Sequence, residues 1–262
     1  MKKEFRTIDG KKQILQVTTV DERWYVRPAV DKSGLPIFEY VPSVTWIAGY
    51  YPKGIAFYKW LADKGWDESQ AVKQAAGNKG SKVHRAIELL EQNKALPIDL
   101  KIKNTETQVF EELTPDEIEA VVSFNSWFKE AKPDLLASEI TVFGDGYAGT
   151  IDRIYRIDGE IYIVDLKTSQ NVWEEYILQV SAYNHADFSE FLSRNVIIGR
   201  EWQKRKMAIL QVGYTRTKSK FKFTEIEDKF KLFLNARDIW SNENPDAKPK
   251  QRDLPLVIKL GE

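Results

Sequence analysis

The tetrapeptide Ile157-Asp158-Gly159-Glu160, set between two runs rich in β-branched and aromatic residues, constrains this chain more than any other feature. Asp-Gly is the preferred pair for a two-residue type I′ turn, in which both central residues need positive φ. The pattern predicts a β-hairpin with Asp158 and Gly159 as its loop and Ile157 facing Glu160. That register sets every other pair: Asp152 falls opposite Asp165, and Thr150 opposite Lys167. Directly opposed residues share a sheet face, with Cβ atoms about 4.5–5.5 Å apart. Lys167, two residues along from Asp165, shares that face.

Both faces of the hairpin are otherwise largely apolar. Ala148, Ile154, Ile161 and Ile163 accompany the aspartates, while Ile151, Tyr155, Tyr162, Val164 and Leu166 take the other side. Two carboxylates opposed on a half-buried sheet repel, and burial adds to the cost unless a cation compensates. One reading is a structural ion pair in which Lys167 neutralises one aspartate, which leaves the second without a partner. The other is Mg2+, which binds through one or two carboxylates at about 2.1 Å and keeps room for waters and a substrate phosphate. The carbonyl of Leu166 offers a further oxygen ligand.

The surroundings predict a mixed α/β fold. A helix starts at Pro115-Asp116-Glu117 and carries Val121, Val122, Phe124, Trp127 and Phe128 at helical spacing. Strand-like runs follow over 137–144, 147–157 and 160–167, then a helix over 171–189, a strand from Met207 to Thr215, and a closing helix over 226–240. The order α-β-β-β-α-β implies a mixed sheet flanked by helices on both faces. Upstream, 12–50 reads as short strands and loops. An aromatic-rich helix follows near 54–65, then a helical stretch over 67–95 broken around Gly77-Asn78-Lys79-Gly80. The expected organisation is an N-terminal region over 1–110, a core over 111–242 and an irregular tail over 243–262.

Composition narrows the chemistry. With 39 basic and 39 acidic residues, any nucleic-acid contact must come from a local basic patch rather than a global field. The absence of cysteine excludes disulfides, thiolate zinc sites and iron–sulfur clusters. With neither a signal-peptide h-region nor an apolar run of about 18 residues, the chain reads as soluble and cytoplasmic.

Three elements in order then point to a family. Gly149-Thr150-Ile151-Asp152, Asp165-Leu166-Lys167-Thr168, and Gln179 with Tyr183 on the next helix resemble the RecB-type branch of the PD-(D/E)xK nucleases. That branch carries G-x-x-D, D-x-K-T and Q-x-x-x-Y. Pro42-Ser43-Val44-Thr45 and Gly80-Ser81-Lys82-Val83-His84 are similar to the helical region of phage exonucleases and of the mitochondrial genome-maintenance exonuclease. The resemblance covers roughly residues 40–190. It implies a restriction-endonuclease-like core with an N-terminal helical region. It implies that Asp152, Asp165 and His84 hold Mg2+ or Mn2+, with the Leu166 carbonyl. Lys167 would orient the attacking water, and Gln179 and Tyr183 would face the site and hold the nucleic-acid backbone or a water.

Other residues have two readings. His84 and Glu88 are spaced as an ordinary i,i+4 pair. Glu88 and Glu139 are candidate extra acidic ligands, and each is equally well a solvated residue. Lys53, Lys59, Lys79, Lys82 and Lys220 are candidate phosphate contacts, or solvated lysines. Thr168, Ser169, Trp173 and Tyr176 sit where a nucleic-acid strand would pass. Base stacking on a tryptophan would contribute about 1–3 kcal/mol. The expected activity is metal-dependent phosphodiester hydrolysis, and the resemblance implies a deoxyribonuclease, an exonuclease acting on single-stranded DNA ends in recombination, repair or phage DNA processing. The alternatives are a structure-specific endonuclease with the same site, a catalytically silent DNA-binding module, and a phosphatase-like metalloprotein.

Overall fold

The turn forms as the Asp-Gly pair requires, with φ +50° at Asp158 and +81° at Gly159. A computed structural model describes residues 2–7, 13–19, 22–30, 33–93, 95–97, 99–104, 108–194, 199–246 and 248–249. Most of the tail expected over 243–262 lies outside the described residues.

Four strands open the chain: β1 (Lys2–Thr7), β2 (Gln13–Thr18), β3 (Arg23–Val30) and β4 (Pro36–Pro42). Helices α1 (Val44–Ala48), α2 (Ile55–Lys64) and α3 (Trp66–Asn93) follow, then the short β5 (Ile102–Lys103) and β6 (Phe110–Glu111). Next come α4 (Pro115–Ala131), β7 (Asp134–Gly144), β8 (Tyr147–Ile157), β9 (Glu160–Lys167) and α5 (Glu174–Asn184). The chain continues through α6 (Ser189–Arg194), α7 (Gly199–Trp202), β10 (Lys206–Val212), β11 (Phe221–Glu225) and α8 (Phe230–Glu243).

Among the described residues, nine strands form one sheet in the order β11-β10-β9-β8-β7-β1-β2-β3-β4. β9 and β10 are parallel, as are β1 and β7, so the sheet is mixed. It runs unbroken across the boundary expected at 110/111, because β1 pairs with β7. Helices cover both faces. On one, Val44, Ile47, Leu178, Val180, Phe233 and Trp240 of α1, α5 and α8 pack on Ile140, Ile151, Ile154, Ile163 and Ile209. On the other, Val83, Ile87, Phe124 and Trp127 of α3 and α4 pack on Tyr155, Val164, Leu166 and Leu210. Fully burying one such side chain stabilises by about 1.5–3 kcal/mol, and burial on both faces pins the register of β8 and β9. Among the described residues, no helix is long and apolar enough to cross a membrane.

Two helices show how local signals resolve. α4 begins as its sequence dictates. Thr114 accepts from the Glu117 N–H, Glu117 returns the bond to the Thr114 N–H at 2.8 Å, and Pro115 fills the first turn. α3 does not break at Gly77–Gly80. Two glycines cost about 1 kcal/mol each relative to alanine, less than the burial of Val83, Ala86 and Ile87 returns. α3 runs past the end of β9 at Gly80, where a Cβ would make an ordinary 3.8 Å contact with the Thr168 hydroxyl. The strand expected to reach Thr215 stops at Val212, because Gly213 turns the chain at φ +65°.

Candidate metal and active site

The hairpin register is the expected one as far as it extends: Ile157↔Glu160, Tyr155↔Tyr162, and on to Arg153↔Val164. There the ladder ends, and Asp152 and Asp165 do not pair as backbone neighbours. The Asp152 carboxylate instead accepts the Leu166 N–H at 2.8 Å. Thr150 does not face Lys167. Its hydroxyl meets those of Tyr25 at 3.0 Å and Thr141 at 3.3 Å.

The faces also differ from simple alternation. Ile151 packs in the same core as Ile154, and Ala148 joins a separate cluster with Ile14, Tyr25 and Val41. Residues three apart on a regular strand point to opposite faces. The strand therefore changes phase between Ile151 and Ile154, around Asp152. On the β7 side, Ser138↔Arg153 and Ile140↔Ile151 are paired while the rung between them is not. That rung carries Glu139 and Asp152, and Glu139 has φ +52°, unusual for a residue with a side chain. Like charges directly opposed destabilise a sheet.

These distortions bring three ligand types together. Ligand atoms of His84, Glu139 and Asp152 lie within 4.8 Å of one another. His84 comes from α3, and its Nε2 lies 3.0 Å from the Leu166 carbonyl oxygen. A carbonyl only accepts, so Nε2 carries the hydrogen and Nδ1 keeps its lone pair. Nδ1 faces Asp152 Oδ1 at 3.6 Å. Burial lowers the His84 pKa despite the opposing pull of Asp152, so the proton that would bridge the two atoms is disfavoured. His84 Nδ1 and the Asp152 carboxylate are thus two facing lone-pair donors that, with Glu139, could hold a cation. The Leu166 carbonyl, expected as a ligand, is engaged by His84.

Asp165 lies beside this trio rather than in it. It is 1% exposed. Oδ1 accepts from Gln179 Nε2 at 3.1 Å. Oδ2 has no hydrogen bond of good angle but sits 2.5 Å from the Lys167 ammonium. Burial pushes the Asp165 carboxyl up to about 7; Lys167 opposes the shift, and the neighbouring Asp152 charge adds to it. The Lys167 pKa is raised: burial acts against its charge, and Asp165 and Asp152 more than offset it. Lys167 also lies over the Tyr176 ring, 4.7 Å from its centre. Beside the Asp165–Lys167 ion pair, Asp152 faces His84, and Glu139 meets the Arg153 guanidinium at 3.3 Å.

Gln179 and Tyr183 both reach the site, joined to each other and to Asp165. Gln179 Nε2 donates to the Tyr183 hydroxyl at 2.8 Å as well as to Asp165. Tyr183 is buried, with its ring against Gly149, where a Cβ would meet it at 2.3 Å. Through these bonds the pair holds Asp165.

The remaining candidates separate clearly. Lys82 is buried and pairs with Glu117 at 2.8 Å, so it is a structural cation and not a phosphate contact. Glu88 pairs with Arg85 at 2.6 Å and stands outside the trio. Lys79 lies 3.6 Å from Asp116, and Lys220 2.8 Å from Glu119. Lys53 contacts Glu175 of α5 and lies over the Phe57 ring, while Lys59 is exposed. Ser169 donates to the Asn171 carbonyl at 2.8 Å. Trp173, at the start of α5, is 52% exposed.

Two residues that the sequence reading passed over complete the site. Arg153 is fully buried, and its Nε donates to Glu91 Oε2 at 2.7 Å. Glu91 lies seven residues after His84, almost two full helical turns, so it shares that residue's face more closely than Glu88 does. Compared with known proteins, the chain matches no family model and no curated protein sequence.

Proposed function

We propose that this chain is a metal-dependent deoxyribonuclease built on a PD-(D/E)xK-like core. The observation that carries the reading is the opening between β8 and β9. There Asp152 replaces a ladder partner, and Asp165, Lys167, His84 and Glu139 gather around it. His84, Glu139 and Asp152 would hold Mg2+ or Mn2+, with Asp165 at the Asp152 edge. The fit rests on the chemistry of the donors: two carboxylates and an imidazole lone pair, hard oxygen and nitrogen ligands with no sulfur. When bound, the ion supplies Lewis acidity to a phosphate oxygen and acidifies water.

The chain's own residues do the rest. Lys167 offers a fixed ammonium beside Asp165. It orients the attacking water and balances the negative charge that builds on the phosphorus oxygens. Preorganised charge of this kind counts most in a site that excludes water. Gln179 keeps Asp165 from rotating toward Lys167 alone, and Tyr183 keeps Gln179 in place.

A single-stranded substrate is favoured by the surface beside the site. α2 has no buried residue, and Ile55, Phe57, Tyr58 and Trp66 stand exposed on α2 and the start of α3. Lys53 and Lys59 are interleaved with these rings, and Lys53 ties the segment to α5. Aromatic rings with interleaved cations are the usual platform for unpaired bases. The proposed activity is therefore hydrolysis of DNA strands from free single-stranded ends.

The test is a gel assay on linear and covalently closed single-stranded DNA with Mg2+, Mn2+ or EDTA. Progressive loss of the linear strand with metal, and survival of the circle, is the expected result. Rapid cutting of the circle would convert the assignment to an endonuclease with the same site. Absence of cleavage under every metal condition would remove the nuclease reading.

A further inference from the structure

Beside Asp152, the buried guanidinium of Arg153 ties three parts of the site together. Nε donates to Glu91 on α3 at 2.7 Å. Nη1 donates to the Asp152 carbonyl at 2.7 Å and to Glu139 Oε1 on β7 at 3.3 Å. Glu91 is itself fixed by the Tyr155 hydroxyl, which donates to Oε1 at 2.5 Å. Glu91 and Tyr155 are both buried, and neither belongs to the ligand trio.

Stability does not explain this arrangement. Desolvating an arginine and a glutamate offsets most of their attraction, and apolar residues of similar volume often serve a core as well or better. Position does explain it. Arg153 is the last residue of β8 to pair with β9 before the strands part. Its side chain reaches Glu139, whose positive φ costs on the order of 1–3 kcal/mol and needs surrounding structure to hold it. The bond to Glu139 is the longest of the three, so it directs that carboxylate without fully occupying it. Glu91 neutralises the guanidinium from the far side. Without that charge, Arg153 would act on Glu139 and Asp152 alone and compete with any cation they hold.

We infer that Arg153, anchored by Glu91, is the positioning residue of the metal site, orienting Glu139 and the Asp152 backbone toward the point that His84 faces. The inference rests on the metal-site reading above and adds two residues that set the affinity without touching the ion. Outer-shell partners of this kind typically change metal affinity by about 10–100-fold.

The experiment is calorimetric titration with Mn2+ of the full chain, Glu91→Gln and Tyr155→Phe, with thermal melting alongside. Glu91→Gln keeps the side-chain size and removes the charge. It should weaken Mn2+ binding by about 10-fold or more. Half-maximal cleavage should move to higher Mn2+ by the same factor, with turnover recovering when Mn2+ saturates. Tyr155→Phe removes only the hydroxyl that fixes Glu91, so it should give a smaller loss of the same sign and serves if Glu91→Gln does not fold. A folded variant with a lowered melting temperature and unchanged Mn2+ affinity would overturn the inference and leave the pair a structural brace. Mn2+ binding without cleavage by the unaltered chain would overturn the nuclease reading alone. No Mn2+ binding by the unaltered chain would overturn both.

Discussion

The Asp152 carboxylate accepts the backbone N–H of Leu166 at 2.8 Å, taking the place of a ladder acceptor at the point where β8 and β9 stop pairing. A buried N–H left without an acceptor is costly, so the sheet can open here only because a side chain fills the role. The other oxygen of the same carboxylate faces His84 Nδ1 at 3.6 Å. The opening in the sheet and the candidate metal site are therefore one structural event.

Asp152→Asn separates these two duties. The amide oxygen still accepts from Leu166, and a negative charge beside Asp165 is gone. In EDTA the variant should melt at or above the temperature of the unaltered chain, while Mn2+ binding falls at least about 10-fold. Melting curves with and without Mn2+ check both halves. A large loss of stability in EDTA would mean that the charge, and not the acceptor, holds the opening.

The pH dependence follows from Asp165. Its carboxyl is raised to about 7, chiefly by burial. A group whose folded pKa lies above its unfolded value holds a proton in the native chain that the unfolded chain has released. Its contribution to metal-free stability is full below the unfolded value near 3.8 and is lost as pH rises through about 7. A metal ion competes with that proton, so apparent Mn2+ affinity should rise with pH and level off above about 7. Melting in EDTA across this range, repeated with Asp165→Asn, gives the check. The substitution should flatten the dependence, and a slope that persists would assign it to another group.

Gly149→Ala tests the support behind Asp165. A Cβ at this position would lie 2.3 Å from the Tyr183 ring, so the tyrosine must shift. Tyr183 anchors Gln179, which holds Asp165. Overpacking of this kind costs about 1–3 kcal/mol. Turnover should fall by at least about 10-fold although no residue of the ligand trio changes, because outer supports of a site fix its geometry. Unchanged turnover would show that Gln179 holds Asp165 without help from Tyr183.

Exposed rings on and near α2 carry the single-strand proposal. Trp66 is 67% exposed, and replacing it with alanine should leave stability nearly unchanged. Affinity for single-stranded DNA should fall by about 1–3 kcal/mol if a base stacks there. Fluorescence anisotropy with a labelled oligonucleotide measures this, and Trp173→Ala tests the ring at the start of α5. If both variants bind like the unaltered chain, the strand takes another path.

Much of this was legible in the sequence, and the reasons are specific. Asp158-Gly159 fixes the register because a type I′ turn accepts few other residues, and five rungs of β8 and β9 follow from it. Apolar residues on both sides mark these strands as central. The break in pairing after Arg153 was not legible, because period-two alternation assumes that a strand keeps its phase. Neither was the Glu139 kink, a positive φ at a residue that rarely takes one. Arg153 did leave a signal: a charge within an apolar run needs a buried acidic partner. Along α3 the sequence reading singled out Glu88 and passed over Glu91, which tertiary packing brings against Arg153. Lys82 reads as a surface cation until α4 brings Glu117 against it.

The central claim, that the opening between β8 and β9 hydrolyses phosphodiester bonds, is tested most directly by one side-by-side measurement. Single-turnover cleavage of an end-labelled linear single-stranded DNA in Mn2+ is followed for the unaltered chain, Asp165→Asn and Lys167→Ala. The unaltered chain should degrade the strand, and EDTA should stop it. Both variants should lose at least about 100-fold in rate, the scale of removing one preorganised stabilising group, with Lys167→Ala still binding the strand. Equal rates in all three proteins would contradict the account.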